Sequence, residues 1–175
     1  MRRLCSPSRA TRPVLTRCAT SLAFVLALPL HAQDVSLAEA EAMLSDQHYA
    51  QAYDTLAPME STRAQDAHYM YLLGRAALGN GDAERARIAL ERSVELDADD
   101  ANAHLALGRA YHALGQHANA INQFEVALHF DDLPPDLLTQ VRIYDEAARQ
   151  ALEEGRRTTA FGYAATAIGR DRVNS

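Results

Sequence analysis

Two successive stretches decide the fold: Ala67 to Asp100, AHYMYLLGRAALGNGDAERARIALERSVELDADD, and Ala101 to Pro134, ANAHLALGRAYHALGQHANAINQFEVALHFDDLP. At an offset of 34 residues, Leu73 falls on Leu107, Gly74 on Gly108, Gly81 on Gly115, Ala86 on Ala120 and Leu90 on Phe124, with no insertion. A fixed period of this length marks stacked supersecondary units, each burying its apolar face on the next.

Within each copy the spacing is helical. Gly74 and Gly108 lie midway along an apolar run, where a glycine costs about 1 kcal/mol against Ala but lets a second helix approach closely. The second half of each copy carries apolar residues at three- and four-residue steps, Ala83, Ala86, Leu90 and Val94 in one and Ala120, Phe124, Ala127 and Leu128 in the other. That is one buried helical stripe. Gly79-Asn80-Gly81-Asp82 and Gly115-Gln116 separate the halves, so each copy reads as helix, tight turn, helix.

The pattern resembles the tetratricopeptide repeat family, with Leu-Gly at repeat positions 7 and 8, a large residue at 11, Gly at 15, Ala at 20, a large residue at 24 and Ala at 27. With Ala101 at position 1, the chain supplies Leu107, Gly108, Tyr111, Gly115, Ala120, Phe124 and Ala127. It departs at position 4, where Met70 and His104 replace the family's Trp, at position 11 with Ala77, and at the late Pro, replaced by Ala98 and Asp132. The resemblance implies an all-α solenoid of three helix-turn-helix repeats plus a C-terminal capping helix. It also implies a protein that holds other proteins.

Counting back one period places a degenerate first repeat at 33–66, ahead of repeats at 67–100 and 101–134. Ser36 to Glu39 and Thr62 to Gln65 have capping-box spacing, which predicts helix starts at Leu37 and beyond Thr62. Pro58 limits the second helix. The break at Pro134-Pro135 opens a capping helix over 135–155, with Leu137, Val141, Tyr144, Ala148 and Leu152 on one side. The tail, 156–175, follows Gly155 and carries Gly162 and Gly169 in a run that fits either period, and it is expected to be strand-like or irregular, with a short helix as the alternative. Its Phe161-Gly162-Tyr163 start resembles the opening strand of the outer-membrane barrel in repeat-containing export proteins of the surface lipoprotein assembly modifier type.

Residues 1–32 read as a secretory signal: five Arg and no acid, an apolar core from Ser21 to Leu30, and a small residue at Ala32. An apolar run of about ten residues is too short to span a bilayer, which takes about 20. Both cysteines, Cys5 and Cys18, lie in this segment, so the mature chain has no thiol chemistry. The basic set contains Arg and no Lys, which with the leader points to a bacterial protein of the periplasm or outer membrane. Beyond residue 32 the chain carries 12 Arg against 23 acidic residues, net −11. Such a balance argues against nucleic acid as a partner and against adhesion to anionic lipid.

By the resemblance, positions 2, 5, 9 and 12 of each repeat face a concave groove. They are Asp34, Leu37, Glu41 and Leu44 in the first copy, His68, Tyr71, Arg75 and Leu78 in the second, and Asn102, Leu105, Arg109 and His112 in the third. The candidate peptide-binding residues are His68, Tyr71, Arg75, Asn102, Leu105, Arg109 and His112. Arg75 and Arg109 share one register, so two guanidinium forks could grip a carboxylate. The competing expectation pairs Glu41 with Arg75 and leaves Arg109 solvated. No HExxH and no i, i+4 histidine pair occurs, so no metal site is assigned. His104 and His117 read as packing spacers. The sequence shows no nucleophile motif and no phosphate-binding Gly loop. It therefore predicts no catalytic residue, no cofactor and no small-molecule substrate, and a protein or peptide as partner. The runner-up function is the periplasmic arm of an outer-membrane export barrel, associated with the membrane through a barrel beyond the sequence.

Overall fold

The structure, a computed structural model, describes the backbone from Leu30 to Asp171 and the side chains from Leu37 to Thr159. The described residues are helical throughout, without strands: α1 (Leu30–Ser45), α2 (Tyr49–Leu56), a 3-10 turn (Ala57–Met59), α3 (Glu60–Arg63), α4 (Ala67–Gly79), α5 (Ala83–Leu96), α6 (Ala101–Ala113), α7 (His117–Leu128) and α8 (Pro135–Asp171). Helices α1 and α2, α4 and α5, and α6 and α7 form hairpins that stack in chain order, and α8 packs on α7 and α6. This is the expected three-repeat solenoid with a capping helix.

The hairpin turns are built alike. The amide of Gly81 donates to Leu78 O and that of Asp82 to Ala77 O, and the same pair of bonds recurs 34 residues later from Gly115 and Gln116. Both glycines have positive φ, +87° and +74°, as this C-terminal cap requires. In the first repeat the same bonds run from Gln47 to Leu44 O and from His48 to Met43 O, with Gln47 at φ 61°. A non-glycine there carries steric strain.

Close helix approach explains the other repeated glycines. A Cβ on Gly74 would meet Leu90 Cγ at 2.5 Å, and one on Gly108 would run into the Phe124 ring. Leu90 and Phe124, both fully buried, fill the space that the missing methyl leaves. Between hairpins, the Tyr69 hydroxyl donates to Leu56 O at 2.8 Å, joining the second repeat to the first. The Tyr111 hydroxyl donates to Glu91 Oε1 at 2.6 Å, joining the third to the second. On α8, Val141 and Ala148 are buried and Leu137, Tyr144 and Leu152 half-buried, while Gln140, Glu146 and Arg149 are exposed.

Three local expectations are corrected. Helix α1 is already formed at Leu30, so Ser36 lies inside it and does not cap it. Nothing in Leu30 to Val35 breaks a helix, since the segment has neither Gly nor Pro. Thr62 does not cap α4: its hydroxyl donates to Met59 O, and Asp66 caps instead, accepting from Tyr69 N at 3.1 Å. Asp100, one period on, caps α6 through Asn102 N, since a short carboxylate reaches the free amides of a first turn. Finally, α8 continues through the expected stop near Gly155 to Asp171, so the tail is helical where a strand or irregular chain was expected. An interior glycine keeps its N–H and weakens a helix without ending it. The hydroxyls of Thr158 and Thr159 are satisfied on the carbonyls of Glu154, Gly155 and Arg156, within the same helix. The leader expected at 1–32 falls, up to residue 29, outside the described residues.

Candidate functional site

Helices α4 and α6 stand side by side, and α8 packs against α6 as well. Between them lies a cavity of about 770 Å³. Its lining brings together five of the seven predicted residues, Tyr71, Arg75, Asn102, Leu105 and Arg109. Tyr71 and Arg75 sit four residues apart on α4, and Leu105 and Arg109 four apart on α6, so each pair shares a helix face. Leu105 is buried at the floor, Tyr71 and both arginines are half-buried, and Asn102 is exposed.

The two arginines are held by aromatic faces. The Arg75 guanidinium carbon lies 5.4 Å from the Tyr71 ring centroid, and that of Arg109 4.9 Å from the Tyr144 ring on α8. Stacking of this kind fixes a guanidinium plane while leaving its N–H edges open. Among the described residues no carboxylate lies within ion-pair distance of either arginine. The expected Glu41–Arg75 pair is therefore corrected: Glu41 Oε1 instead takes His68 Nε2 at 2.6 Å. His68 stands about two turns of helix before Arg75, at the start of α4, and it is the side chain that meets Glu41. Burial pushes the Tyr71 phenol up, with Arg75 pulling against it, so Tyr71 stays neutral at physiological pH.

Two predicted residues lie elsewhere. His68 is exposed and committed to Glu41, outside the cavity. His112 turns to His117, with Nδ1 to Nδ1 3.2 Å, and burial first, then His117, pushes its pKa down. His117 is thus paired as well as packed. His104, also read as a spacer, is buried between Gln123 Oε1 and Ala98 O, at 2.8 and 3.0 Å.

Sequence reasoning missed the far wall and the mouth. Leu133, Pro134, Leu137 and Gln140 supply the wall from the α7–α8 loop and α8. Five aspartates, Asp99, Asp100, Asp131, Asp132 and Asp136, line the opening around the two arginines. Asp99 and Asp100 precede α6 and Asp131 and Asp132 precede α8, and their convergence depends on how α8 folds back. No group of three or more His, Cys, Asp or Glu with metal-holding geometry occurs among the described residues.

A stack of α-hairpins with an open inner face is the repeat-protein class of solenoid. The chain belongs to the tetratricopeptide repeat family, whose signature matches residues 32–101 and 71–136. Solved structures agree on the fold. The type III secretion chaperone SycD of Yersinia enterocolitica, in complex with a peptide of the translocator YopD, superposes with a TM-score of 0.61 at 15% identity, covering 71% of this chain and 98% of that one. The Sgt2 repeat domain of Aspergillus fumigatus gives 0.61 at 19% identity over 74% and 84% of the two chains. The second repeat domain of human RPAP3, in complex with an HSP70 peptide, gives 0.55 at 19% over 65% and 96%. No curated protein shows a significant sequence match.

Proposed function

We infer that this protein is a non-catalytic scaffold that holds a peptide or protein segment in the groove between α4, α6 and α8, gripping one carboxylate with Arg75 and Arg109. The observation that carries this is the pair of stacked, carboxylate-free guanidinium groups in one cavity of about 770 Å³. Five aspartates at the mouth disfavour a uniformly acidic ligand, so the carboxylate is an isolated one with neutral or basic neighbours. Structural relatives that are themselves described with bound peptides support the same use of the fold.

Fluorescence anisotropy with labelled peptides carrying one, several or no acidic residues tests the reading. Binding confined to the singly acidic peptides, and lost in an Arg75→Ala/Arg109→Ala variant, is the expected result. Equal binding by parent and variant removes the arginines from the site. We further infer export to the periplasm, supported by the leader pattern of residues 1–32. Cell fractionation with N-terminal sequencing should find a chain starting at Gln33 outside the cytoplasm, and a cytoplasmic chain starting at Met1 would refute export.

A further inference from the structure

His112 and His117 face each other across the α6–α7 turn, with Nδ1 atoms 3.2 Å and ring centroids 4.9 Å apart. Both residues are half-buried. At the same register the first repeat has Leu44 and Tyr49 and the second Leu78 and Ala83, so the third hairpin alone places two imidazoles there. At this distance one neutral ring donates its Nδ1–H to the Nδ1 lone pair of the other, and a metal ion can take the place of that proton, binding both nitrogens. Zinc–imidazole bonds of about 2.0–2.1 Å put two nitrogens of one ion about 2.9 Å apart at a right angle and about 3.4 Å apart at the tetrahedral angle. The observed 3.2 Å falls inside that interval.

We propose that His112 and His117 form a two-imidazole site for a divalent first-row cation of the zinc or copper(II) class, each binding through Nδ1, with water completing the coordination. Imidazole nitrogen suits these ions, whereas magnesium and calcium take oxygen donors. One donor ends the groove-lining helix α6 and the other begins α7, so the ion ties the third hairpin closed at its turn. A test for i, i+4 pairs within a helix does not find donors five residues apart across a turn. The site stands independently of the groove and its peptide.

Isothermal titration of the full chain with Zn²⁺, Cu²⁺ and Mg²⁺ tests it, alongside His112→Leu and His117→Ala. Each variant installs the residue that the second repeat carries at that position, so the hairpin receives a side chain its register accepts. The expected result is one ion per chain at micromolar Zn²⁺, tighter binding of Cu²⁺, and no response to Mg²⁺. Each variant should weaken Zn²⁺ by about tenfold or more. On the unaltered chain, imidazole ¹⁵N shifts should move at Nδ1 of both rings, which decides the matter even where a variant melts early. Absence of Zn²⁺ binding at millimolar concentration, unchanged affinity in both variants, or shifts confined to other histidines would overturn the site.

Discussion

Arg109 of the third repeat rests on Tyr144 of the capping helix, its guanidinium carbon 4.9 Å from the ring centroid. The contact makes α8 a support for the groove as well as a cover for the stack. Tyr144 also stacks on Phe124 at 6.2 Å, so the ring that steadies Arg109 is itself anchored in the core.

Removing Arg109 should therefore cost more binding than removing its support. A charge-assisted hydrogen bond contributes about 1.5–3 kcal/mol, so Arg109→Ala should weaken a singly acidic peptide by roughly tenfold to a hundredfold. Tyr144→Leu keeps apolar contact with Phe124 and loses the cation–π face, worth about 0.5–2 kcal/mol, and should weaken the same peptide by a smaller factor. Anisotropy titrations of both variants give the order.

The glycines at repeat position 8 should not tolerate a methyl group. Overpacking costs about 1–3 kcal/mol, against about 1 kcal/mol gained in helix propensity, so Gly74→Ala and Gly108→Ala should each lower stability by up to roughly 2 kcal/mol. Urea melts measure this. Combining Gly108→Ala with Phe124→Ala, which removes the ring that the methyl group would strike, should cost less than the two single changes added together.

Gln47 should be improvable. It occupies the left-handed position that Gly81 and Gly115 hold in the other hairpins. Relief of the side-chain strain, less the added freedom of the unfolded chain, predicts that Gln47→Gly raises stability by about 0.5–1 kcal/mol. The reverse change, Gly81→Gln, should destabilise by a similar or larger amount in the same melt.

Alkaline pH should loosen the joint between the first two repeats. Burial raises the Tyr69 phenol to about 12 from 10.0, with Glu60 adding to the rise. The fold thus favours the neutral form. Its contribution is complete below pH 10 and is lost as pH climbs toward 12, because the unfolded chain ionises first. Two pKa units correspond to on the order of 2–3 kcal/mol. Tyr69→Phe should cost about 1 kcal/mol at neutral pH through the lost bond to Leu56 O, and should show a flatter stability profile above pH 10.

Much of the architecture was legible because it depends on a repeated local register. Gly74, Gly81, Gly108 and Gly115 each answer to a fixed geometric need, close approach or positive φ, and such needs recur every 34 residues. The helix limits were less legible. Ser36 and Thr62 satisfy a capping pattern that the chain does not use, and Gly155 reads as a stop although a glycine amide continues the ladder. The alternation of Phe161, Tyr163, Ala165 and Ala167 suggested a strand, yet the three- and four-residue spacing of Phe161, Ala164, Ala165 and Ile168 matches the helix found through Asp171.

At the groove, the register placed Tyr71, Arg75, Asn102, Leu105 and Arg109 on one lining because α4 and α6 are related by translation along the stack. Nothing in that register governs α8. The wall from Leu137 and Gln140 and the support of Arg109 by Tyr144 come from a segment outside the repeats, and they meet Asp99, Asp100, Asp131 and Asp132, which end the second and third repeats. His68 and His112 left the groove because each has a nearer partner, Glu41 and His117.

The placement of α8 also constrains how such a protein can grow. It lies where the opening helix of another hairpin would stack, so duplicating a repeat after Leu128 would separate Tyr144 from Arg109 and leave the old cavity with a different neighbour. Lengthening the array and preserving its recognition surface are thus opposed, and lineages that gained units at this terminus would have had to evolve a new anchor for the arginine.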